Sequence, residues 1–192
     1  MDESKVTQKG NKVDGDQAGH DINKQVTNLN FDSSQRSISA MQTLLKKFKD
    51  EREKNPQLTE FIEELDYYNK PLDGDVIGLE QKLINGKQED FIDYALRMKE
   101  RYHKKLMKYQ FSEAAQLINL HLLALVESYF MHHIYPQICN GQTSENVNSL
   151  IQELLINPML GQLDDNPLGF NAQEVNGMIY FLTGNCHIKW NN

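Results

Sequence analysis

From Ser33 onward apolar side chains recur at alternating three- and four-residue spacing, which predicts a succession of helices. Ser33 or Ser34 is placed to cap a helix that carries Ile38, Met41, Leu44, Leu45 and Phe48 on one face and ends near Asn55-Pro56. Leu58, Phe61, Ile62 and Leu65 mark a second amphipathic helix, which stops before Asn69-Lys70-Pro71. Asp73-Gly74-Asp75 reads as a turn. A short helix through Leu79 and Leu83 breaks at Asn85-Gly86, and a long one covers about 88–109 with Phe91, Ala95, Met98 and Tyr102 inward. Residues 112–135 are apolar nearly all round, as for a helix packed on several sides, and Pro136 with Asn140-Gly141 is expected to end it. Val147, Leu150, Ile151, Leu154 and Leu155 restate a clean amphipathic helix up to Asn157-Pro158. After a long loop, 173–182 reads as a helix closed by Gly184. Two pieces carry the period of two instead: Thr27, Leu29 and Phe31, and the alternation His187-Ile188-Lys189-Trp190, which has the form of an edge strand. These extended ends have two partners open to them, one another or the ends of a neighbouring subunit. The expected fold is all-α, a helical bundle with an extended, turn-rich amino-terminal arm (1–31), a helical domain (32–192) and a short extended carboxy-terminal segment.

Composition sharpens the division. Hydrophobic residues are 39% of the 192, enough for one sizeable core, yet residues 1–30 contain no aromatic side chain and cannot bury much alone. No unbroken apolar run approaches the roughly 18 residues of a membrane span, and the amino terminus lacks the apolar segment of a secretory signal, so a cytoplasmic location away from membranes is expected. Cys139 and Cys186 stand far apart without a paired motif and are read as reduced. The formal net charge of −7 opposes general nucleic-acid affinity but leaves room for a local basic face.

Sites for chemistry are few. Glu80-Gln81-Lys82 after Asp73 and Asp75 imitates the acidic-plus-lysine cluster of metal-dependent nucleases, but on a helix and too close together, so a solvated helix start is the better reading. His132 and His133 diverge by about 100° on a helix and His121 lies roughly 16 Å away, so they do not share an ion. No nucleophile elbow, phosphate-cradling loop or dinucleotide fingerprint is present, and no enzyme activity, cofactor or metal is expected. Arg97, Arg101, Lys104 and Lys108 recur at four, three and four and form one cationic stripe, broadened by Lys99 and Lys105. It suits a phosphate backbone, an acidic partner or a plain solvated face. Asn119, His121, Glu127 and Ser128, within the most apolar helix, either satisfy one another internally or mark a docking face.

Two segments together resemble a family. Gly15-Asp16-Gln17-Ala18-Gly19-His20-Asp21-Ile22-Asn23 resembles the GDxxGxDI signature that precedes helical C-terminal domains in bacterial ABC three-component conflict systems, and Gly177 to Trp190 is similar to the terminal motif of those domains. The resemblance implies anti-phage or anti-plasmid defence, in which an SMC-like ATPase works with a small component and with an effector, such as a nuclease, that carries this domain. Only twelve residues precede Val13, which favours a standalone adaptor that joins separately encoded ATPase and effector subunits. The expected protein is therefore a self-associating, non-enzymatic interaction subunit. Its contact elements are Gly15, Asp16, Gly19, Asp21 and Ile22 of the arm, Cys186, His187 and Trp190 of the ending, and the stripe Arg97, Arg101, Lys104 and Lys108. The alternative is a nucleic-acid-binding regulator that uses the same stripe.

Overall fold

The computed structural model describes residues 35–54, 62–72, 77–163 and 166–191, with side chains from residue 40 onward in the first stretch. The arm residues Gly15, Asp16, Gly19, Asp21 and Ile22, the caps Ser33 and Ser34, Leu58 and Phe61, and the turn Asp73-Gly74-Asp75 lie outside the described residues. Seven helices and no strand occur among those described. They are α1 (Gln35–Lys54), α2 (Glu63–Asn69), α3 (Leu79–Asn85), α4 (Ile92–Lys108, entered through a 3-10 turn Glu89–Phe91), α5 (Glu113–Cys139), α6 (from Ser144 to Gln162) and α7 (Ala172–Gly184).

The core forms around α5, whose Ala114, Ala115, Ile118, Leu122, Leu123, Val126, Phe130 and Ile134 are all fully buried. α1 packs along its first half. There the Glu51 carboxylate accepts hydrogen bonds from the Ala114 N–H (3.2 Å) and the Ser112 hydroxyl (2.6 Å), placing negative charge at the positive end of the helix, and Ser112 caps Ala115. The polar groups within α5 are mostly met internally: Asn119 accepts from the Tyr102 hydroxyl (3.0 Å) and donates to the Ala115 carbonyl (2.8 Å). Judged by a window rather than an unbroken run, α5 is long and apolar enough to cross a membrane, which the unbroken-run criterion passed over; half of that window is already covered by the chain's own core.

α4 and α7 make the most intimate helix pair, because Gly177 lets the backbones meet: a Cβ there would lie 2.5 Å from the Met98 carbonyl oxygen and 2.6 Å from the Tyr102 Cβ. A capping box at Asn171 and Glu174 starts α7.

Three sequence expectations are corrected. Neither Pro136 nor Asn157-Pro158 ends a helix. Before each proline the helix widens into one π turn, Phe130–Ile134 in α5 and Gln152–Ile156 in α6, and then continues to Cys139 and Gln162. A proline lacks the N–H that an α-helix needs and crowds the carbonyl four residues back; the π widening relieves both. Next, Gly184 is the last helical residue of α7 and not its left-handed terminator. The His187 N–H donates to the Leu182 carbonyl (2.9 Å) and the Cys186 N–H to the Thr183 carbonyl (3.2 Å), a Schellman closure whose left-handed residue is Cys186 at φ 67°. Likewise α3 closes through Lys87 at φ 57°, while the adjacent Gly86 is needed because a Cβ would sit 2.7 Å from Trp190. Finally, 187–190 is not a strand: His187, Ile188 and Trp190 all turn into the core and only Lys189 faces out.

Candidate functional site

The ending forms a clasp built on Thr183. Its hydroxyl donates to the Ile179 carbonyl (2.8 Å) and accepts the Trp190 indole N–H (2.9 Å), and its carbonyl accepts the Lys82 ammonium (2.6 Å). Trp190, 1% exposed, lies against the Phe130 ring, with centroids 4.9 Å apart, and against Gly86. A Trp at this place thus ties α3, α5 and α7 together. Asn185 donates to the Tyr68 carbonyl (2.8 Å) and accepts the Leu72 N–H (3.3 Å), which adds α2 to the clasp.

His187 occupies the same junction. Its Nε2 lies 3.3 Å from the Lys70 carbonyl and donates to it, the Tyr67 and Tyr68 rings flank it, and its Nδ1 is buried without a hydrogen bond, 3.9 Å from a Glu127 carboxylate oxygen. The other Glu127 oxygen accepts the Tyr68 hydroxyl (3.0 Å). Burial pushes the His187 pKa below its ordinary value, against the pull of Glu127. Burial, reinforced by the hydrogen bond to Glu127, drives the Tyr68 hydroxyl far above its own. Of the ending's three contact candidates, Cys186 is half-buried and a free thiol, whereas His187 and Trp190 are enclosed by the chain's own core.

The cationic stripe is divided by its partners. The Arg101 Nε–H donates to the Glu174 carboxylate at 2.7 Å, and Glu174 is 2% exposed. Lys105, outside the main stripe, lies 3.4 Å from the same oxygen, donates to the Gly169 carbonyl (2.5 Å) and covers the Phe170 ring. Burial alone would raise the Glu174 carboxyl, but the Arg101 hydrogen bond, Lys105 and the Asn171 N–H hold it below the usual carboxylate range. These two cations therefore fasten α7 to α4. Lys104 makes an exposed pair with Glu100 (2.7 Å), Lys108 lies over the Tyr109 ring, and Arg97 is exposed; these three face outward. Sequence reasoning placed Lys105 only at the margin of the stripe and missed Glu174, although Asn171-x-x-Glu174 carries the capping-box spacing that fixes the carboxylate at the helix start.

Nothing resembling a nuclease centre is assembled from the residues in view. Lys82 is buried with its ammonium on Thr183, Glu80 points to solvent, and Asp73 and Asp75 lie outside the described residues. Among the described residues no group of three or more His, Cys, Asp or Glu side chains is placed to hold a metal, and exposed His132 donates to the Ser128 carbonyl (2.7 Å).

A family model described as C-terminal domain 9 of the ABC-three component (ABC-3C) systems matches residues 78–190, from the residue before α3 to the clasp tryptophan. The arm motif Gly15 to Asn23 lies outside the match. No curated protein and no solved structure matches the chain.

Proposed function

The chain belongs to the C-terminal domain 9 family of the ABC-three component systems, and is thus a component of such a defence system; on that premise we propose that it is a non-enzymatic assembly subunit. It works in the cytoplasm, associates with itself and docks separately encoded ATPase and effector subunits, without cofactor or membrane. The observation that supports this reading is the clasp: Lys82 and Trp190 meet at Thr183, and Glu127 meets Tyr68 and His187, so that these polar groups of the family-matched region are spent on holding four helices together. Co-expression of the full chain with the ATPase subunit of its own system tests it. A stable complex in size-exclusion chromatography is expected; a monomer that ignores the ATPase and turns over a substrate would overturn it.

The second reading, a nucleic-acid-binding regulator, draws on Arg97, Lys104 and Lys108, which face outward. It loses Arg101, committed to the buried Glu174. Three phosphate contacts would give a salt slope of about −2.7 on duplex DNA; anisotropy titrations at two salt concentrations measure it, and a flat response removes this alternative.

A further inference from the structure

An acidic groove lies where the start of α4 meets α6. Gln88, 2% exposed, accepts through its Oε1 from the Ser144 hydroxyl (2.9 Å) and the Asn148 amide (3.3 Å), which pins the Glu89–Phe91 turn to α6. Between these elements Phe91, Ser144, Asn148 and Gln152 line an open groove of about 640 Å³ whose walls are mainly carbon, and Glu145 and Glu153 line it too. Glu89, Asp90 and Asp93 are exposed close by along the chain, and among the described residues none of these five carboxylates has an ion pair.

The far end of α4 is its chemical complement. Lys104 and Lys108 stand one turn apart on α4, Met107 (37% exposed) lies on the same last turns, and Phe111 (48% exposed) follows in the turn just beyond the helix end. Among the described residues Lys104 pairs with Glu100 alone, an exposed contact. α4 is 17 residues long, so about 25 Å separate its two ends, and knob and groove can meet only between molecules. Aromatic residues and methionine are enriched in interfaces relative to the rest of a protein surface.

Resting on the assembly reading above, we propose that copies of this chain join head to tail, Phe111 of one copy seating in the Phe91 groove of the next while Lys104 and Lys108 meet Glu145 and Glu153. The apolar anchor supplies the burial and the charges set register and salt dependence. Because knob and groove are different patches, the contact is heterologous: it grows into an open chain or closes into a ring.

Sedimentation of the full-length chain tests this. The wild type should show mass rising with protein concentration and falling with added salt. The double reversals Glu145→Lys with Glu153→Lys, and Lys104→Glu with Lys108→Glu, should each weaken association at least about tenfold. Mixed one to one, they should associate again, because each variant's altered patch now suits the other's; this rescue requires both to be folded. Phe111→Ser, on an exposed turn, should weaken association without changing the melting temperature. Reversals that assemble like the wild type would overturn the proposal and leave the assembly reading standing, whereas a wild type monomeric at every concentration yet bound to its ATPase would overturn the proposal and self-association together and leave only the docking of separately encoded subunits.

Discussion

Replacing Gly177 by alanine tests the closest helix contact in the domain. An alanine Cβ at this position would stand 2.5 Å from the Met98 carbonyl oxygen and 2.6 Å from the Tyr102 Cβ, and Tyr102 is fully buried. Non-bonded heavy atoms settle at about 3.5–4.0 Å, so α4 and α7 must part by roughly 1 Å. The nearest atoms belong to backbone and to a buried Cβ, and neither can swing aside. Overpacking of this kind costs about 1–3 kcal/mol, while the better helix propensity of alanine returns about 1 kcal/mol. The net loss is up to about 2 kcal/mol, which lowers the melting temperature by up to about 8 °C for a domain of this size. Gly161→Ala is the matched control, since Gly161 lies on an exposed face of α6 with nothing within 4 Å of its would-be Cβ. There propensity acts alone, and up to about 1 kcal/mol of stabilisation is expected. Thermal unfolding of both full-length variants by far-ultraviolet circular dichroism gives the comparison. If Gly177→Ala gains as much melting temperature as Gly161→Ala, no overpacking cost is present and the close approach of α4 and α7 is wrong.

Three further outcomes follow from the clasp and its charges. Trp190→Ala removes a buried ring and the partner of the Thr183 hydroxyl and should cost about 3–5 kcal/mol, read as a lower denaturant midpoint. Cys186→Gly should stabilise by about 0.5–1 kcal/mol, because Cys186 holds a left-handed φ of 67° that glycine adopts freely; no gain in melting temperature would show that the thiol's surroundings outweigh the strain. Acid should destabilise the domain in two windows. Burial lowers the pKa of His121, His133 and His187, so the unfolded chain takes up their protons first, and stability is level above about pH 6.5 and falls below it towards the folded pKa values. Glu174, held below its ordinary range, adds stability above about pH 4.3 that disappears as pH drops through its folded pKa. Denaturant midpoints across this range should decline with acidification, less steeply in His187→Gln between about pH 6.5 and 5; an unchanged slope there would remove His187 from the account.

The helical period was legible because each of the seven helices buries one face against α5 or across the α4–α7 contact, and a face is a local property of sequence. What was not legible depends on residues distant in the chain. Gly86 and Gly184 read as helix terminators, yet Gly86 is small because Trp190 presses on it, and the left-handed positions fall to Lys87 and Cys186. Pro136 and Pro158 read as stops because the rule assumes a strict α period; one π turn before each shifts the ladder by a residue and lets two long helices continue. The stripe on α4 follows from spacing alone, but spacing cannot reveal that Arg101 meets a carboxylate 73 residues away while Lys104 meets one on its own helix. The alternation of 187–190 has the form of a strand, but with no strand among the described residues its apolar members instead fill the gap between α3, α5 and α7.

The ending that closes the family match points inward, and that bears on where its contacts lie. His187 and Trp190, first read as docking elements, serve the interior, so their substitution must disturb folding before it disturbs any partner. The outward groups, Lys104, Lys108 and Phe111 at one end of α4 and Glu145 and Glu153 beside the other, contribute little to the core and are free to act on another molecule. The two kinds of change therefore separate in experiment. Variants of the clasp should lose melting temperature and association together, whereas variants of the knob and groove should lose association at an unchanged melting temperature. If Trp190→Phe weakened association in a chain as stable as the wild type, the ending would be a contact surface after all, and the division between inward signature and outward interface would fail.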